Sequence, residues 1–221
     1  MVVSVRDDLT LLLEDGGEMR LAAINVPPAF AEAAWAVMVE HAVGQQIVPF
    51  FAETRADRWR RVVAHAVSRE GIWLQGTLVE QGLARVQSFS DNRTGVRDLL
   101  VLEARARGAG LGLWADWRTQ VKTVDETPRL LHGFHVVEGQ VIEAANVRGR
   151  VYLNFGDDWK TDFTILVPPK VRRQFERENR ELISLEGINI RVRGWVKDWN
   201  GPMIELTHAE QLEIIDAPVA P

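Results

Sequence analysis

The sequence predicts a β-rich α+β protein with two domains, and three observations support this prediction. Short apolar runs of strand length recur along the chain, separated by turn residues such as Asp15-Gly16-Gly17 and Asn200-Gly201. Helical spacing of apolar residues is concentrated in the first half, with three segments there and one in the second half. Between the halves, residues 116–131 lose this periodicity around Pro128, which indicates a linker.

Strands and helices alternate in the first part, residues 1–115. Asp15-Gly16-Gly17 joins two apolar runs into a hairpin over residues 9–24. The pair Pro27-Pro28 is suited to the start of a helix, and Gly82 to the end of one. Strands are predicted at 45–52, 59–68 and 85–89, and helices at 29–43, 72–84 and 96–110.

The second part, residues 132–216, is mostly strand. One helix, predicted at 169–182, falls between the third and fourth of four or five strands. This order is typical of a small closed barrel of the OB type, although a different small β-barrel would give a similar pattern. Residues 217–221 are predicted to be a loose tail.

Composition excludes several kinds of site. The 221 residues include no cysteine, so disulfides, thiolate metal sites and a cysteine nucleophile are excluded. The net charge is -5, so nucleic-acid binding would need a local basic patch. No apolar run is long enough to predict a membrane span. No leader is apparent, and the compartment stays open: the cytoplasm or, if a leader was removed before Met1, the periplasm or the exterior.

Three stretches of the first part carry a resemblance. They are "TLLLEDGGEMRLAAINVPP" at 10–28, "DRWRRVVAHAV" at 57–67, and "LVEQGLARV" at 78–86 followed by "EARARGAGLGLW" at 103–114. Together they resemble the thermonuclease family, the staphylococcal-nuclease-like domain, over about residues 5–115. That family has a five-stranded OB barrel with three helices. The resemblance therefore implies two small OB-type β-barrels in tandem, the first with three helices.

Active members of this family hydrolyse DNA and RNA phosphodiesters with calcium. The chemistry needs carboxylates for the ion and the attacking water, and two arginines for the phosphoryl charge. The resemblance places the two arginines at Arg20 and Arg61. It places the three carboxylates at Leu9, Asn25 and Pro28, none of which is acidic.

These replacements predict the loss of efficient calcium-dependent hydrolysis. Leucine and proline side chains offer no oxygen to calcium, asparagine offers one neutral oxygen, and proline cannot act as a base. A shift of one residue in the alignment brings Asp8 to the first metal position, so Asp7 and Asp8 are weak metal candidates. The expected cofactor is none, with calcium only if activity is retained.

Other family positions also differ. The tyrosines that contact the nucleotide correspond to Ser88 and Ser90, and the glycine before the second arginine corresponds to Arg60. Arg20 and Arg61 are candidates for binding a phosphate between them. Alternatively, they pair with nearby carboxylates such as Asp57 as structural ions.

Aromatic and basic residues are interleaved in the second part, a pattern typical of OB surfaces that stack single-stranded DNA or RNA. The alternative is an aromatic core with a surface that docks onto the first domain. Asp157, Asp158, Asp162 and Asp198 favour this alternative because they repel phosphate. The candidate nucleic-acid-binding residues are Arg148, Arg150, Tyr152, Phe155, Trp159, Lys160, Trp195, Lys197 and Trp199.

Three functions remain open. The first is a thermonuclease-like protein without efficient hydrolysis, acting as a nucleic-acid- or protein-binding module. The second is an active phosphodiesterase with a modified metal site that uses Asp7, Asp8 or Asp57. The third is an adaptor that binds another protein.

Overall fold

The computed structural model describes residues 1–158 and 161–215. It divides the chain into two compact units, Met1–Gln120 and Val121–Pro221. The nucleic-acid candidates Trp159 and Lys160 and the predicted tail at 217–221 lie outside the described residues. No helix in the described part of the chain is long and apolar enough to cross a membrane.

The first unit is organised around a five-stranded sheet with the order β1-β2-β3-β6-β5. The predicted hairpin forms as β2 and β3, with Leu11 opposite Met19. β3 then pairs in parallel with β6, while β4 and β7 make a separate two-stranded sheet. The strands are β1 (Val2–Val5), β2 (Leu11–Leu13), β3 (Glu18–Leu21), β4 (Ile24–Asn25), β5 (Ile47–Phe50), β6 (Val62–Ser68) and β7 (Arg85–Val86).

Three helices cover this sheet, at the positions that the apolar spacing predicts and with shorter ends. In α1 the buried residues Ala34, Met38 and Ala42 recur every fourth position, so one helical stripe faces the core. Leu78 and Leu99, from the other two helices, are fully buried in the same cluster. The helices are α1 (Ala31–Ala42), α2 (Leu74–Glu80) and α3 (Val96–Gly108), with 3-10 turns at Pro28–Phe30 and Gly112–Trp114.

A close backbone contact fixes the end of α2. Gly82 follows the helix with a left-handed φ of 68°. Its carbonyl accepts a hydrogen bond from the N–H of Leu113 at 2.8 Å. A Cβ atom at residue 82 would overlap the carbonyl oxygen of Leu111. Only glycine therefore permits both this conformation and this contact.

The second unit contains two sheets, one of five strands with the order β10-β11-β12-β15-β14 and one of four with the order β16-β13-β9-β8. Their shared core includes Leu153, Ile165, Phe175 and Val192. The elements are β8 (Lys122–Thr123), β9 (Phe134–Gln140), β10 (Glu143–Val147), β11 (Arg150–Asn154), β12 (Thr164–Val167), α4 (Pro169–Arg177), β13 (Asn189–Trp195), β14 (Lys197–Asp198), β15 (Pro202–Glu205) and β16 (Leu212–Ile214), with 3-10 turns at Val124–Arg129, Ile183–Leu185 and Ala209–Gln211.

The fold is therefore β-rich α+β, as the sequence predicts, and the curved sheet of the first unit is consistent with an OB-like fold. In the second unit, α4 lies between β12 and β13 in the predicted place. Two closed barrels in tandem stay a prediction, because the strands are distributed over separate sheets.

Part of the predicted linker has regular structure. β8 pairs in parallel with β9, with Lys122 opposite Val137. The backbone N–H of Thr123 donates to a carboxylate oxygen of Glu126 at 2.8 Å, as part of a capping box. A two-residue strand contains too few residues to show an apolar alternation, so only the partner strand reveals it.

We expect Gly82→Ala to lower the free energy of unfolding by about 2–4 kcal/mol, because it adds left-handed strain to a steric overlap. Gly108→Ala is the matched control, since a Cβ there meets no atom within 4 Å and its φ is not positive. The control should leave stability unchanged or raise it by up to about 1 kcal/mol. Urea unfolding followed by circular dichroism measures both; equal stabilities for the two variants would contradict the assignment.

Candidate functional site

Arg61 lies immediately before β6 and is held by two carboxylates. Its Nε donates to Asp57 at 2.8 Å, and its Nη1 donates to Asp8 at 3.0 Å. The same Nη1 lies 3.2 Å from the hydroxyl of Thr10. The Arg61 side chain is 15% exposed. We call these four residues the Arg61 cluster. Of the two alternatives for Arg61, the structure shows the ion pair with carboxylates.

The turn that presents Arg61 is organised by the same aspartate. Oδ1 of Asp57 accepts the backbone N–H groups of Trp59 at 2.9 Å and of Arg61 at 3.0 Å. Between them, Arg60 has a left-handed φ of 66°. This conformation favours glycine, the residue that the family has at this position. Here an arginine adopts this conformation.

Hydrogen bonding in the cluster changes the acidity of both aspartates. Burial acts to raise the pKa of Asp57, but hydrogen bonds from the side chain and backbone of Arg61 outweigh it, so this pKa lies below its ordinary value. Burial likewise opposes the shift at Asp8, where hydrogen bonds from Thr10 and the charge of Arg61 lower the pKa. Both carboxylates are thus kept ionised beside the guanidinium.

A pocket of about 170 Å³ brings most of the sequence-predicted site residues together. Arg20 is exposed at its rim, on β3. Pro28 is exposed at the start of a 3-10 turn and is not among the lining residues. The lining consists of Asp7, Asp8, Leu9, Arg20, Leu21, Ile24, Asn25, Val26 and Ala31.

In the arrangement that the structure shows, this pocket offers few oxygen ligands to a calcium ion. The side-chain oxygen of Asn25 accepts a hydrogen bond from Nε of Arg85 at 3.1 Å. Leu9 is 8% exposed and has a left-handed φ of 63°, which is costly for leucine. No group of three or more His, Asp or Glu side chains in the described part of the chain is arranged to hold a metal. Calcium needs several anionic oxygens, and here Asp8 is already paired with Arg61.

Next to Arg61, the segment of residues 50–61 exposes further aromatic and basic side chains that are not among the sequence-predicted site residues. Trp59 is 57% exposed. The guanidinium carbons of Arg58 and Arg61 lie 3.9 and 5.0 Å from its ring centroid. Arg55 lies 5.1 Å from the ring of Phe51 in the same way. The alternation of arginine and aromatic residues in "FFAETRADRWRR" is the signal that could have identified it.

Ser88 and Ser90, which the resemblance places where the family has tyrosines that contact the nucleotide, differ in exposure. Ser88 is 8% exposed, whereas Ser90 is exposed. Neither side chain carries an aromatic ring on which a base could stack.

In the second unit the structure brings only some of the candidate residues together. Tyr152 and Trp199 line one pocket on the five-stranded sheet. Phe155 packs on Phe163 at 5.1 Å between ring centroids and borders the core, so it contributes to packing. Trp195, on β13 of the other sheet, is exposed and makes an edge contact with Phe134.

The candidate cations of the second unit are on its surface. Arg148 and Arg150 are exposed at the hairpin between β10 and β11. Lys197 pairs with Glu205 at 3.1 Å. The candidates other than Trp159 and Lys160 therefore do not form one continuous stacking surface among the described residues.

With this geometry established, comparison with protein families gives one match. The family model of the staphylococcal nuclease homologues matches residues 19–116. These residues are therefore similar to the staphylococcal nuclease homologues. The resemblance in the sequence is thereby confirmed for this part of the chain. A search of curated proteins gives no match.

The match covers Arg20, Asn25, Pro28 and the segment around Arg61. It begins after Asp8 and Leu9, so the assignment of the first metal position rests on the hairpin alignment alone. The matched range thus contains both arginines that the resemblance assigns to the phosphoryl charge, and the asparagine and proline that it assigns to two carboxylate positions.

We expect the contribution of Asp57 to stability to depend on pH. The pKa of Asp57 is lower in the folded protein than in the unfolded chain. Ionised Asp57 therefore stabilises the fold fully at pH values above its unfolded pKa, and this stabilisation is lost as the pH falls through its folded pKa. The wild type should therefore exceed Asp57→Asn in free energy of unfolding at pH 7, and this difference should shrink below about pH 4. Asparagine keeps the acceptor of the turn, so the variant removes mainly the charge. Urea unfolding from pH 7 to 2 measures the difference; a constant value would contradict the prediction.

Proposed function

We propose that the protein binds nucleic acid and that its nuclease-like domain has lost efficient calcium-dependent hydrolysis. One observation carries the proposal: the guanidinium that would stabilise the phosphoryl charge is bound by Asp57 and Asp8. Arg61 donates to these carboxylates the hydrogen bonds that it would otherwise donate to phosphate oxygens. For Arg61 to contact a transition state, the cluster would first have to open.

The missing carboxylates support the same proposal. Losing a general base is typically associated with a loss of about two to four orders of magnitude in rate, and losing the metal with more. With asparagine at 25 and proline at 28, neither group is supplied at the matched positions. No cofactor is part of the proposed role.

Binding does not require these carboxylates. Arg20 is exposed at the pocket rim, and Arg58 lies against the exposed ring of Trp59 on the neighbouring segment. A guanidinium beside an exposed indole can neutralise a phosphate while a base stacks on the ring. In the second unit, Arg148, Arg150, Tyr152 and Trp199 are proposed as further contacts. The proposed ligand is single-stranded DNA or RNA; a protein partner is the alternative.

A second candidate function is phosphodiester hydrolysis with a changed metal site. It is favoured by one observation, that Asp7, Asp8 and Arg20 line the same pocket. Under this alternative, calcium would bind to carboxylates other than those of the family pattern.

We expect no calcium-dependent cleavage of single-stranded DNA or RNA by the purified full chain. The assay compares calcium with EDTA and wild type with Arg61→Ala. Cleavage that requires calcium and disappears in Arg61→Ala would overturn the proposal and establish the second candidate. Cleavage that is the same in EDTA and in Arg61→Ala would identify a contaminating nuclease, and the prediction would then be judged on repurified protein.

Binding by the first unit should depend on Trp59. We expect Trp59→Ala to weaken binding of a single-stranded oligonucleotide by about tenfold, because base stacking is lost. Trp117→Ala is the matched control, since Trp117 is 72% exposed in the same unit but outside this segment.

Binding by the first unit should also depend on salt through Arg58. Arg58→Ala should reduce the slope of log affinity against log salt concentration by about one, and the control Arg69→Ala should leave that slope unchanged. Fluorescence anisotropy measures both effects; the absence of any salt-dependent binding would favour the protein-binding adaptor.

A further inference from the structure

A pocket of about 430 Å³ lies on the five-stranded sheet of the second unit. This volume falls in the range of small-molecule sites. Its lining comes from the strands of that sheet and from the turn between β14 and β15: Glu143, Ala145, Val147, Tyr152, Asn154, Thr164, Trp199, Asn200 and Met203.

Strand alternation explains why these side chains share one face. Along β10 the lining residues are every second residue, and along β11 they are Tyr152 and Asn154. The antiparallel register places Glu143 opposite Asn154 and Ala145 opposite Tyr152. The apolar wall and the polar end of the pocket are therefore set by register.

A chain of hydrogen bonds forms the polar end. The hydroxyl of Thr164 donates to Oδ1 of Asn154 at 3.1 Å, and Nδ2 of Asn154 donates to a carboxylate oxygen of Glu143 at 3.2 Å. Asn154 and Thr164 are 6% and 7% exposed. These two hydrogen bonds fix the orientation of the Asn154 amide, and the second one ends at the carboxylate of Glu143. Glu143, which is exposed, retains lone pairs on both oxygens and offers acceptors to a ligand.

Two aromatic rings flank this end. Trp199 is 70% exposed, and its backbone N–H donates to the carbonyl of Gly201 at 2.9 Å. Gly201 has φ of 89°, and a Cβ there would lie 2.7 Å from the carbonyl of Thr161. Glycine thus lets the turn close against residue 161 and sets the backbone of Trp199. Within residues 1–158 and 161–215, neither Trp199 nor Tyr152 stacks on another aromatic ring.

The charge of the lining selects the ligand. Among the described residues of the lining, Glu143 is the charged one, and its carboxylate offers acceptors to a ligand. Arg150 lies on the same face, opposite Val147 at the other end of β10. A ligand that fits this arrangement has donors at one end, a flat ring between, and an anion toward Arg150.

We propose that this pocket binds the base of a guanine nucleotide. The Watson–Crick edge of guanine carries two adjacent donors, N1–H and N2–H₂, which match the two oxygens of a carboxylate. Adenine and cytosine present a donor beside an acceptor, and uracil presents one N–H between two carbonyls, so each places a lone pair against Glu143. The ring stacks on Trp199 and Tyr152, and the phosphate points toward Arg150. This inference does not depend on the Arg61 cluster.

The test uses the full chain and three probes: guanosine, inosine and uridine 5′-monophosphates. Inosine differs from guanosine only by the missing 2-amino group. Calorimetric titration should show guanosine monophosphate binding about tenfold more tightly than inosine monophosphate, and more tightly still than uridine monophosphate, as expected for one bidentate base contact. Equal affinities, or no binding of any probe, would overturn the inference.

Variants locate the contact. Glu143→Gln should abolish the difference between guanosine and inosine monophosphates. Glu205→Gln should keep it, because Glu205 pairs with Lys197 and is not in the lining. Trp199→Ala should weaken all three probes by a similar factor. A preference that survives Glu143→Gln would overturn the assignment.

Oligonucleotides distinguish the source of the base. An oligouridylate with one central guanosine is compared with the all-uridine strand and with free guanosine monophosphate. Tighter binding of the guanosine-containing strand assigns the pocket to single-stranded nucleic acid, and tighter binding of the mononucleotide assigns it to a free nucleotide. Strands that bind equally well, in the absence of any preference among mononucleotides, would overturn the guanine pocket while leaving nucleic-acid binding by the first unit intact.

Discussion

The guanidinium of Arg61 connects two parts of the first unit that are distant in sequence. It joins the connection between β1 and β2, through Asp8 and Thr10, to the turn before β6, through Asp57. Asp57 is 14% exposed and Thr10 is buried, whereas Asp8 is 57% exposed, so the guanidinium is paired on a buried side and on a solvent-facing side. The same contacts that order the turn therefore occupy the group that a nuclease would direct at phosphate. The Arg61 guanidinium cannot be bound in this ion pair and free to contact a phosphate at the same time.

The second unit organises its polar groups differently. There the buried Asn154 accepts a hydrogen bond from Thr164 and donates one to Glu143. The buried polar groups are therefore hydrogen-bonded, and the carboxylate of Glu143 lines a pocket. The first unit closes its carboxylates onto a cation, whereas the second leaves one carboxylate beside exposed aromatic rings. This difference supports ligand recognition in the second unit more directly than catalysis in the first.

Local pattern was sufficient for most of the fold. The three helices of the first unit and α4 follow from apolar spacing, and the hairpin at residues 9–24 from its glycine turn. β8 was not predicted, because a parallel pairing of two residues depends on β9 rather than on its own sequence. Phe155 was chosen for nucleic acid but packs on Phe163, since an aromatic residue at a strand end can face either side and only packing decides.

The sequence alone determined the elements, the resemblance confirmed at residues 19–116, and the absence of acids at positions 25 and 28, because these depend on residue identity and spacing. Tertiary structure alone decided which charges meet. Asp8 reaches Arg61 across more than fifty residues. Glu143 accepts a hydrogen bond from Asn154 and lines one pocket with Tyr152 and Trp199 through strand register and one glycine turn. Contacts of this kind are set by how distant segments pack, which no local pattern encodes.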